Sequence, residues 1–349
     1  MLPQLLNAKR SFLTRNLDLS NASHLKEQAP MNGDLVLARV DRIRQHTRLE
    51  DTHGRRMFLY PHDEILLVAG SRYASDQFHA QLPKGLGPCH LVAAGGIAAQ
   101  VVNKSDKVRS ATEITLLGVV ADAAGDAINL RAGAVLPLSS AEVEIPVILV
   151  IGSAMNAGKT TTACALIHGL RINGYAVAGA KLTGTGAGPD YWRMKDAGAV
   201  PVLDFVDHGL ASSVGVCPQK LVAMTRSFSA EAQRQGADYL VLEVADGILQ
   251  PETRALVATE EFSRLIAGVL IAADSSAAAV MIAQTLSVSG YPVYGISGIL
   301  SRSPLSCEET RTATGLPVFQ PEDFDEIDII EYIRSSAQRD QIYANASTG

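Results

Sequence analysis

The sequence predicts an α/β protein: a mainly parallel sheet covered by helices around a phosphate-binding loop, preceded by a smaller, mostly β domain. Three observations lead there. Val147–Gly152 (VILVIG) is a continuous apolar run, as expected of a strand buried on both faces. It passes through small residues into Gly158-Lys159-Thr160, which opens a helical stretch. Beyond it, apolar strand-like runs alternate with helical segments, the pattern of a parallel sheet.

The elements follow in order. Residues 1–32 read as an irregular or helical arm, polar and mixed, ending in Pro30 and Asn32-Gly33. Residues 33–140 form the β domain, because their apolar positions alternate and no 3.6-residue period persists. Within it, TRLEDTHGRRMFLY predicts two strands around a His53-Gly54 turn. EITLLGVVAD and AINLRAGAVL predict a second hairpin around Ala124-Gly125-Asp126. Gly95-Gly96 marks a bend or a close backbone approach.

Residues 141–349 form the phosphate-loop domain. After VILVIG comes a helix from Lys159 to Asn173, closed by Gly174. AVAGAKL, AVPVLDF, YLVLEVA, LIAGVLIAAD, YPVYGISGI and LPVFQ read as strands. Helices are expected near Trp192, from about Pro218 to Arg234, from about Ser276 to Val288, and near Ile327 to Ser335.

Composition narrows the function. The chain has 349 residues with 30 Lys and Arg against 36 Asp and Glu, a formal charge of −6, and no basic stripe. Nucleic acid is therefore not an expected partner, since phosphate backbones are held by clustered cations. No apolar run reaches the roughly 18 residues of a membrane span, so no membrane is expected either. Cys89, Cys164, Cys217 and Cys307 form no CxxC pair, which fits a reducing cytoplasm and argues against a zinc site.

The chemistry centres on Gly152–Thr161. Gly158 lets the backbone approach a phosphate, whose charge meets the amides and the positive end of the helix. Ser153, Ala154, Met155, Asn156, Ala157, Gly158, Lys159, Thr160 and Thr161 are the expected nucleotide-binding residues. Lys159 would neutralise the β- and γ-phosphates, and the Thr160 hydroxyl would ligate Mg²⁺. Five residues separate Gly152 from Gly158, one more than the common spacing. Lys181 ends a strand at the sheet edge where ligands of open α/β folds bind, and a lysine there is costly without an anion. Gly184–Gly188 (GTGAG) reads as a mobile loop able to close over substrate. Asp207-His208, Cys164 and Tyr191-Trp192 read better as structural groups than as catalytic ones. Asp274 is open between a site role and a helix cap.

The longer loop resembles that of the dethiobiotin synthetase and cobyrinic acid a,c-diamide synthase branch of the SIMIBI-class P-loop NTPases. GYAVAGAKLTGTG resembles that branch's second strand and its terminal lysine, GPDY (188–191) its Gly-Pro-Asp-Tyr, and LVLEVADG its metal-binding strand. The resemblance covers roughly residues 146 to 320 by strand order. It implies an ATP-dependent enzyme with Lys159 and Lys181 as catalytic groups and Mg²⁺ on Thr160, Asp190 and Glu243. The implied reaction phosphorylates a small-molecule carboxylate for ligation. A small-molecule kinase and a nucleotide-dependent switch are the alternatives, and a homodimer is a family expectation. The chain departs from the branch at Ala154 and Asn156, where an acidic residue is common, and at Ser297 and Ser301, near the usual base-contacting asparagine. The order of domains also resembles the D-glutamate N-acetyltransferase-like group, although the N-terminal strands do not match it.

Overall fold

The computed structural model describes residues 3–326 together with 329, 331 and 332. The terminal helix expected near Ile327 to Ser335 falls largely outside these residues. The described chain divides into two units. One is built from the residues up to Ser140 with Lys181–Trp192 and Leu203–Ser227; the other from Ala141–Ala180, Arg193–Val202 and the described residues from Phe228 onward. Two segments that the sequence reading gives to the phosphate-loop domain thus group with the first unit.

The first unit is dominated by strands, labelled here β1 (Leu35–Arg42), β2 (Arg48–Glu50), β3 (Arg56–Phe58), β4 (Glu64–Ala69), β5 (Gly87–Ala93), β6 (Ile97–Lys104) and β7 (Thr112–Asp122). The order β4-β1-β7-β5-β6 is closed by a parallel pairing of β6 on β4, Ile97 opposite Val68, so these five strands form a ring. Closure removes the exposed edges that an open sheet would present. Inside it pack Val36, Ala38, Val40, Ile65, Leu67, Leu91, Ala98, Ile114 and Leu116, all at most 2% exposed. The alternation of β7, buried at every second residue over Thr112–Leu116, is the sequence pattern that aims this set inward.

β2 and β3 form the expected hairpin around His53-Gly54, with Leu49 opposite Met57. The second expected hairpin turns at Ala124-Gly125-Asp126 as expected, with the Asp122 amide on the Asp126 carbonyl and the Ile128 amide on that of Val120, but its second strand is cut short. Ala121 bridges Ala127, but Leu130–Gly133 is a 3₁₀ turn, because the Asn129 side chain accepts the Arg131 amide and caps it. The N-terminal arm is mixed, with a helix at Pro3–Asn7 and short strands at Lys9–Arg10 and Ala22–Lys26 that join the sheet.

The second sheet contains β8 (Val147–Gly152), β9 (Val177–Lys181), β10 (Val202–Asp204), β11 (Tyr239–Glu243), β12 (Ile266–Ala272) and β13 (Val293–Ser297), in the order β10-β9-β11-β8-β12-β13. β8 runs parallel to both neighbours, and all six of its residues are buried, as the unbroken apolar run requires. Helices α1 (Lys159–Ile172), α2 (Gly188–Asp196), α3 (Pro218–Arg234), α4 (Pro251–Val257), α5 (Glu260–Leu265), α6 (Ser276–Val288) and α7 (Pro304–Thr314) alternate with the strands. The fold is therefore the predicted mainly parallel α/β class with a β-rich N-terminal part. LPVFQ contributes only a bridge, Val318 to Ile296.

Candidate functional site

In the second unit the carboxyl ends of β8, β11 and β12 converge on one loop. Val150 pairs with Glu243, and Gly152 with Ala272, so the strand ends are level. Gly152 passes into residues 153–158, and α1 begins at Lys159. Asn156 and Gly158 both adopt positive φ, 67° and 101°, which curls the backbone into a concave turn. Successive amides in such a turn, aimed from the start of a 14-residue helix, make an anion cradle.

Backbone packing holds the cradle on three sides. A Cβ on Gly158 would stand 2.9 Å from the Gly298 Cα, and one on Gly247 would stand 2.3 Å from the Ser153 carbonyl oxygen. A Cβ on Gly152 would meet the Ala272 carbonyl at 2.5 Å. The Ile299 amide donates to the Ala157 carbonyl at 3.0 Å, and the Ile248 amide to Gly152 at 3.0 Å. Gly152 and Gly247 are required by close approach, and Gly158 by its positive φ as well.

The side chains of the loop are engaged. Lys159, 6% exposed, donates from Nζ to the Ala154 carbonyl at 2.7 Å, so the ammonium lies folded across the loop. The Thr160 hydroxyl donates to Glu243 Oε1 at 2.9 Å, and Glu243 is 2% exposed. Ser153 donates to Asp274 Oδ1 at 2.9 Å. The helix cap that Asp274 might have supplied comes from Ser275, whose hydroxyl accepts the Ala278 amide. Ser297 and Ser301 are buried, and Ser301 donates to the Gly298 carbonyl. Neither hydroxyl faces outward as a base-reading asparagine would.

One further group escaped the sequence reading. Arg193 Nη2 donates to the Thr161 hydroxyl at 3.2 Å, placing an exposed guanidinium against the first turn of α1. The signal that could have found it is only its position in α2, five residues after GPDY begins.

A hydroxyl, a carboxylate and the oxygens of a phosphate are the donor set that Mg²⁺ prefers. Thr160 and Glu243 lie within one hydrogen bond of each other and supply the first two, so they fit the ion. Among the described residues no group of three or more His, Cys, Asp or Glu side chains is placed to hold a metal alone. A divalent ion here would rely on its nucleotide phosphates for the remaining ligands.

In the first unit, Lys181 and Asp190 form an ion pair, their side chains 12% and 29% exposed. Asp190 is thereby brought to a lysine, while Thr160 and Glu243 are brought to each other. Beside the pair lies Glu50, on the β2–β3 hairpin, which sequence reading did not single out. Its carboxyl is 2% exposed, accepts the Gly188 amide at 2.8 Å and faces Arg56 Nε at 3.6 Å. Burial raises its pKa, and the Gly188 amide, Arg56 and Lys181 oppose that rise while Asp190 adds to it.

The Gly184–Gly188 loop, read from the sequence as mobile, is hydrogen-bonded along its length. Gly184 exchanges backbone and hydroxyl hydrogen bonds with Ser213, and the Gly186 amide donates to Ala211 at 2.9 Å. A Cβ on Gly95 would stand 2.0 Å from the Gly186 carbonyl, so the predicted close approach of Gly95-Gly96 is to this loop. Trp192 packs against Gly54 at the hairpin tip, and Tyr191 stands edge-on to Phe12. Both rings serve as anchors.

Asp207 and His208 are structural as well. Arg15 bridges Asp204 at 2.7 Å and Asp207 at 3.2 Å, and Asn16 adds a donor to Asp207 at 3.0 Å. Burial, then the charge of Asp204, pushes Asp207 up to about 6, and burial pushes His208 down to about 4. Cys164 is half-buried in α1. No helix among the described residues is long and apolar enough to cross a membrane.

No protein-family model matches the chain, and no curated protein does. Among solved structures, it is similar to a DUF1611 family protein from Anabaena variabilis, at 16% identity and a TM-score of 0.39, over 59% of this chain and 63% of that one. It is similar to the signal recognition particle 54 kDa protein from Aeropyrum pernix, solved with GDP, at 19% identity and a TM-score of 0.40, over 58% and 47%. The signal recognition particle receptor FtsY from Elizabethkingia anophelis, also with GDP, matches at 15% identity and a TM-score of 0.38, over 59% and 68%. The chain spans less than two thirds of the length of the first two. What the strand-end geometry itself establishes is a phosphate-binding loop on a mainly parallel α/β sheet.

Proposed function

We propose that the protein is a nucleoside triphosphate-dependent phosphotransfer enzyme acting on a small molecule, with ATP as the substrate and Mg²⁺ as the ion. The observation that carries this reading is the pairing of the Thr160 hydroxyl with buried Glu243 at the mouth of the anion cradle. A carboxylate buried to 2% beside the start of a helix needs a cation or donors to offset its desolvation, and Mg²⁺ supplies the charge when bound. Lys159 is long enough to leave the Ala154 carbonyl for a β- or γ-phosphate, and the loop amides supply fixed dipoles. Phosphoryl transfer asks little more of a protein than such positioning and charge stabilisation.

The acceptor is proposed to be a small-molecule carboxylate, which becomes an acyl phosphate that an amine or another nucleophile attacks. The Lys181–Asp190 ion pair supports this part of the reading, as a cation and a carboxylate suited to an anionic acceptor and its nucleophile. Because Asp190 is paired with Lys181, we assign the metal to Thr160 and Glu243. By loop spacing we place the chain with the dethiobiotin synthetase and cobyrinic acid branch of the SIMIBI class, acting in the cytoplasm as a homodimer.

The test is turnover of Mg²⁺-ATP by the purified chain and by Lys159→Ala. The variant is expected to fold normally and lose turnover by roughly 10²–10³-fold, as for removal of one charge-stabilising donor. Equal turnover in the two proteins would refute the site.

A further inference from the structure

We infer that Glu50 is a positioning residue: the β2–β3 hairpin uses its buried carboxylate to latch the first turn of α2, and so fixes Asp190 against Lys181. The inference gives the N-terminal β-rich part a role in the site, and it rests on the reading of Lys181 and Asp190 as acceptor-binding groups.

The hairpin has no need of a buried acid for its own folding. β2 and β3 pair through backbone bonds, and a glutamate at the inner end of a short strand loses its hydration unless something replaces it. Here the replacement comes from outside the hairpin. Glu50 Oε2 accepts the Gly188 amide, one of the four amide donors that the first turn of any helix leaves without a partner in the helix. The carboxylate thus acts as a helix cap supplied from 138 residues upstream. A cap of opposite charge at the positive end of a helix also gains from the helix dipole. Asp190 lies two residues beyond the capped amide, and its side chain meets Lys181.

The contacts around this bond leave the loop little freedom. Gly188 could not carry a side chain easily, since a Cβ would come within 3.1 Å of the Trp192 ring and 3.5 Å of Glu50 Oε2. Gly54, at the hairpin tip, is pressed on the same indole, with a Cβ position 2.0 Å from its Nε1. Gly95 meets Gly186 backbone to backbone, and the Gly186 amide is held by Ala211. The hairpin tip and the β5–β6 turn thus hold residues 184–192 by packing, while Glu50 holds them by its hydrogen bond to the Gly188 amide. The charged groups facing Glu50 are Arg56 on β3, and Lys181 and Asp190. A row of alternating sign, Arg56, Glu50, Lys181 and Asp190, balances within the first unit.

The experiment uses full-length protein and three variants. Glu50→Gln keeps an acceptor for the Gly188 amide, Glu50→Asp keeps the charge but is one methylene too short to reach it, and Glu50→Ala keeps neither. Hydrogen exchange read by mass spectrometry over residues 184–190 is expected to be near wild type in Glu50→Gln. In Glu50→Ala and Glu50→Asp it should be roughly tenfold to a hundredfold faster, the range for loss of a hydrogen bond to a charged group. Acylation of Lys181 by acetic anhydride should rise in the same two variants, and exchange over residues 153–160 should be unchanged in all. If Glu50→Ala fails to fold, Glu50→Asp carries the comparison. For Mg²⁺-ATP, Glu50→Asp is expected to lower kcat and leave KM alone.

Wild-type exchange at residues 184–190 in Glu50→Asp would overturn the latch, as would Glu50→Gln behaving like Glu50→Ala. A wild-type protein inert toward Mg²⁺-ATP would instead refute the phosphotransfer reading, and the exchange result would still decide the latch. Faster exchange with unchanged kcat would overturn the positioning role while leaving the hydrogen bond in place.

Discussion

The Thr160 hydroxyl donates to Glu243 across 83 residues of sequence, joining the first turn of α1 to the end of β11 at 2.9 Å. Glu243 enters this contact because β11 lies beside β8 in parallel register, so that the two strands end at the same level. A hydroxyl and a carboxylate poised together in this way anticipate the shell of a hard divalent ion. Glu243→Gln keeps the shape and the hydrogen bond while removing the charge. It should raise the Mg²⁺ concentration for half-maximal ATP turnover by roughly 10–100-fold, the cost typical of altering a group that supports a bound metal. A magnesium titration of turnover checks this.

The cradle depends on glycines that face backbone rather than solvent. Gly247→Ala places a Cβ 2.3 Å from the Ser153 carbonyl, and neither chain can yield without moving the loop. Nucleotide affinity should fall at least about tenfold, while α1 and the central strands keep their protection from exchange. Equilibrium binding of a fluorescent nucleotide measures the loss. Gly174→Ala is the contrasting control, because nothing lies within 4 Å of its Cβ position, and its φ of +89° makes the cost local strain only.

Arg15 holds two buried carboxylates. Asp204 and Asp207 lie three positions apart, cap the same 3₁₀ turn, and both bond to one Nη atom of Arg15. Arg15→Leu would leave these charges without their cation. Loss of one partner of a buried ion pair costs about 3–5 kcal/mol, and chemical denaturation should show a loss of that order. A replacement as stable as wild type would contradict this.

Acid should destabilise the first unit through its histidines. His46 is held down to about 4, by burial first and by the charge of Arg72 second, and burial holds His208 down to about 4 as well. Unfolded, each binds a proton near 6.5, so between about pH 6.5 and 4 the unfolded chain takes up more protons and stability falls with pH. Asp207 works the other way. Its folded pKa of about 6 exceeds its ordinary 3.8, so its contribution is present below 3.8 and is lost as pH rises through about 6. Two histidines against one carboxyl leave a net loss toward acid, on the order of 1–3 kcal/mol. His46→Asn, which can still donate to the Leu91 carbonyl, should flatten the fall in melting temperature between pH 6.5 and 4.

What the sequence displayed was local. VILVIG and Gly158-Lys159-Thr160 identify strand, loop and helix because each is fixed by neighbours in the chain, and helices at Lys159–Ile172, Pro218–Arg234 and Ser276–Val288 fall where periodicity and caps put them. The parallel pairing of β6 on β4 was not legible, since ring closure depends on which distant edges meet. AINLRAGAVL looked like a strand, yet an asparagine cap turned its centre into a 3₁₀ turn. Gly184–Gly188 looked mobile because glycine loops usually lack side-chain anchors, and here the anchors are on Ser213, Ala211 and Glu50. Glu50 itself reads as an ordinary polar residue of a hairpin strand. Only the partner, 138 residues away, reveals that it is buried. Arg15 and Asp204, 189 residues apart, are hidden for the same reason.

The most direct measurement is phosphorus NMR of the full-length protein with Mg²⁺-ATP, with and without a small-metabolite extract, beside Lys159→Ala. The account predicts conversion to ADP that the extract stimulates and that the variant loses, with free phosphate marking ligation and a new phosphorus resonance marking a kinase. An ATP spectrum unchanged by the wild-type protein under both conditions would contradict it.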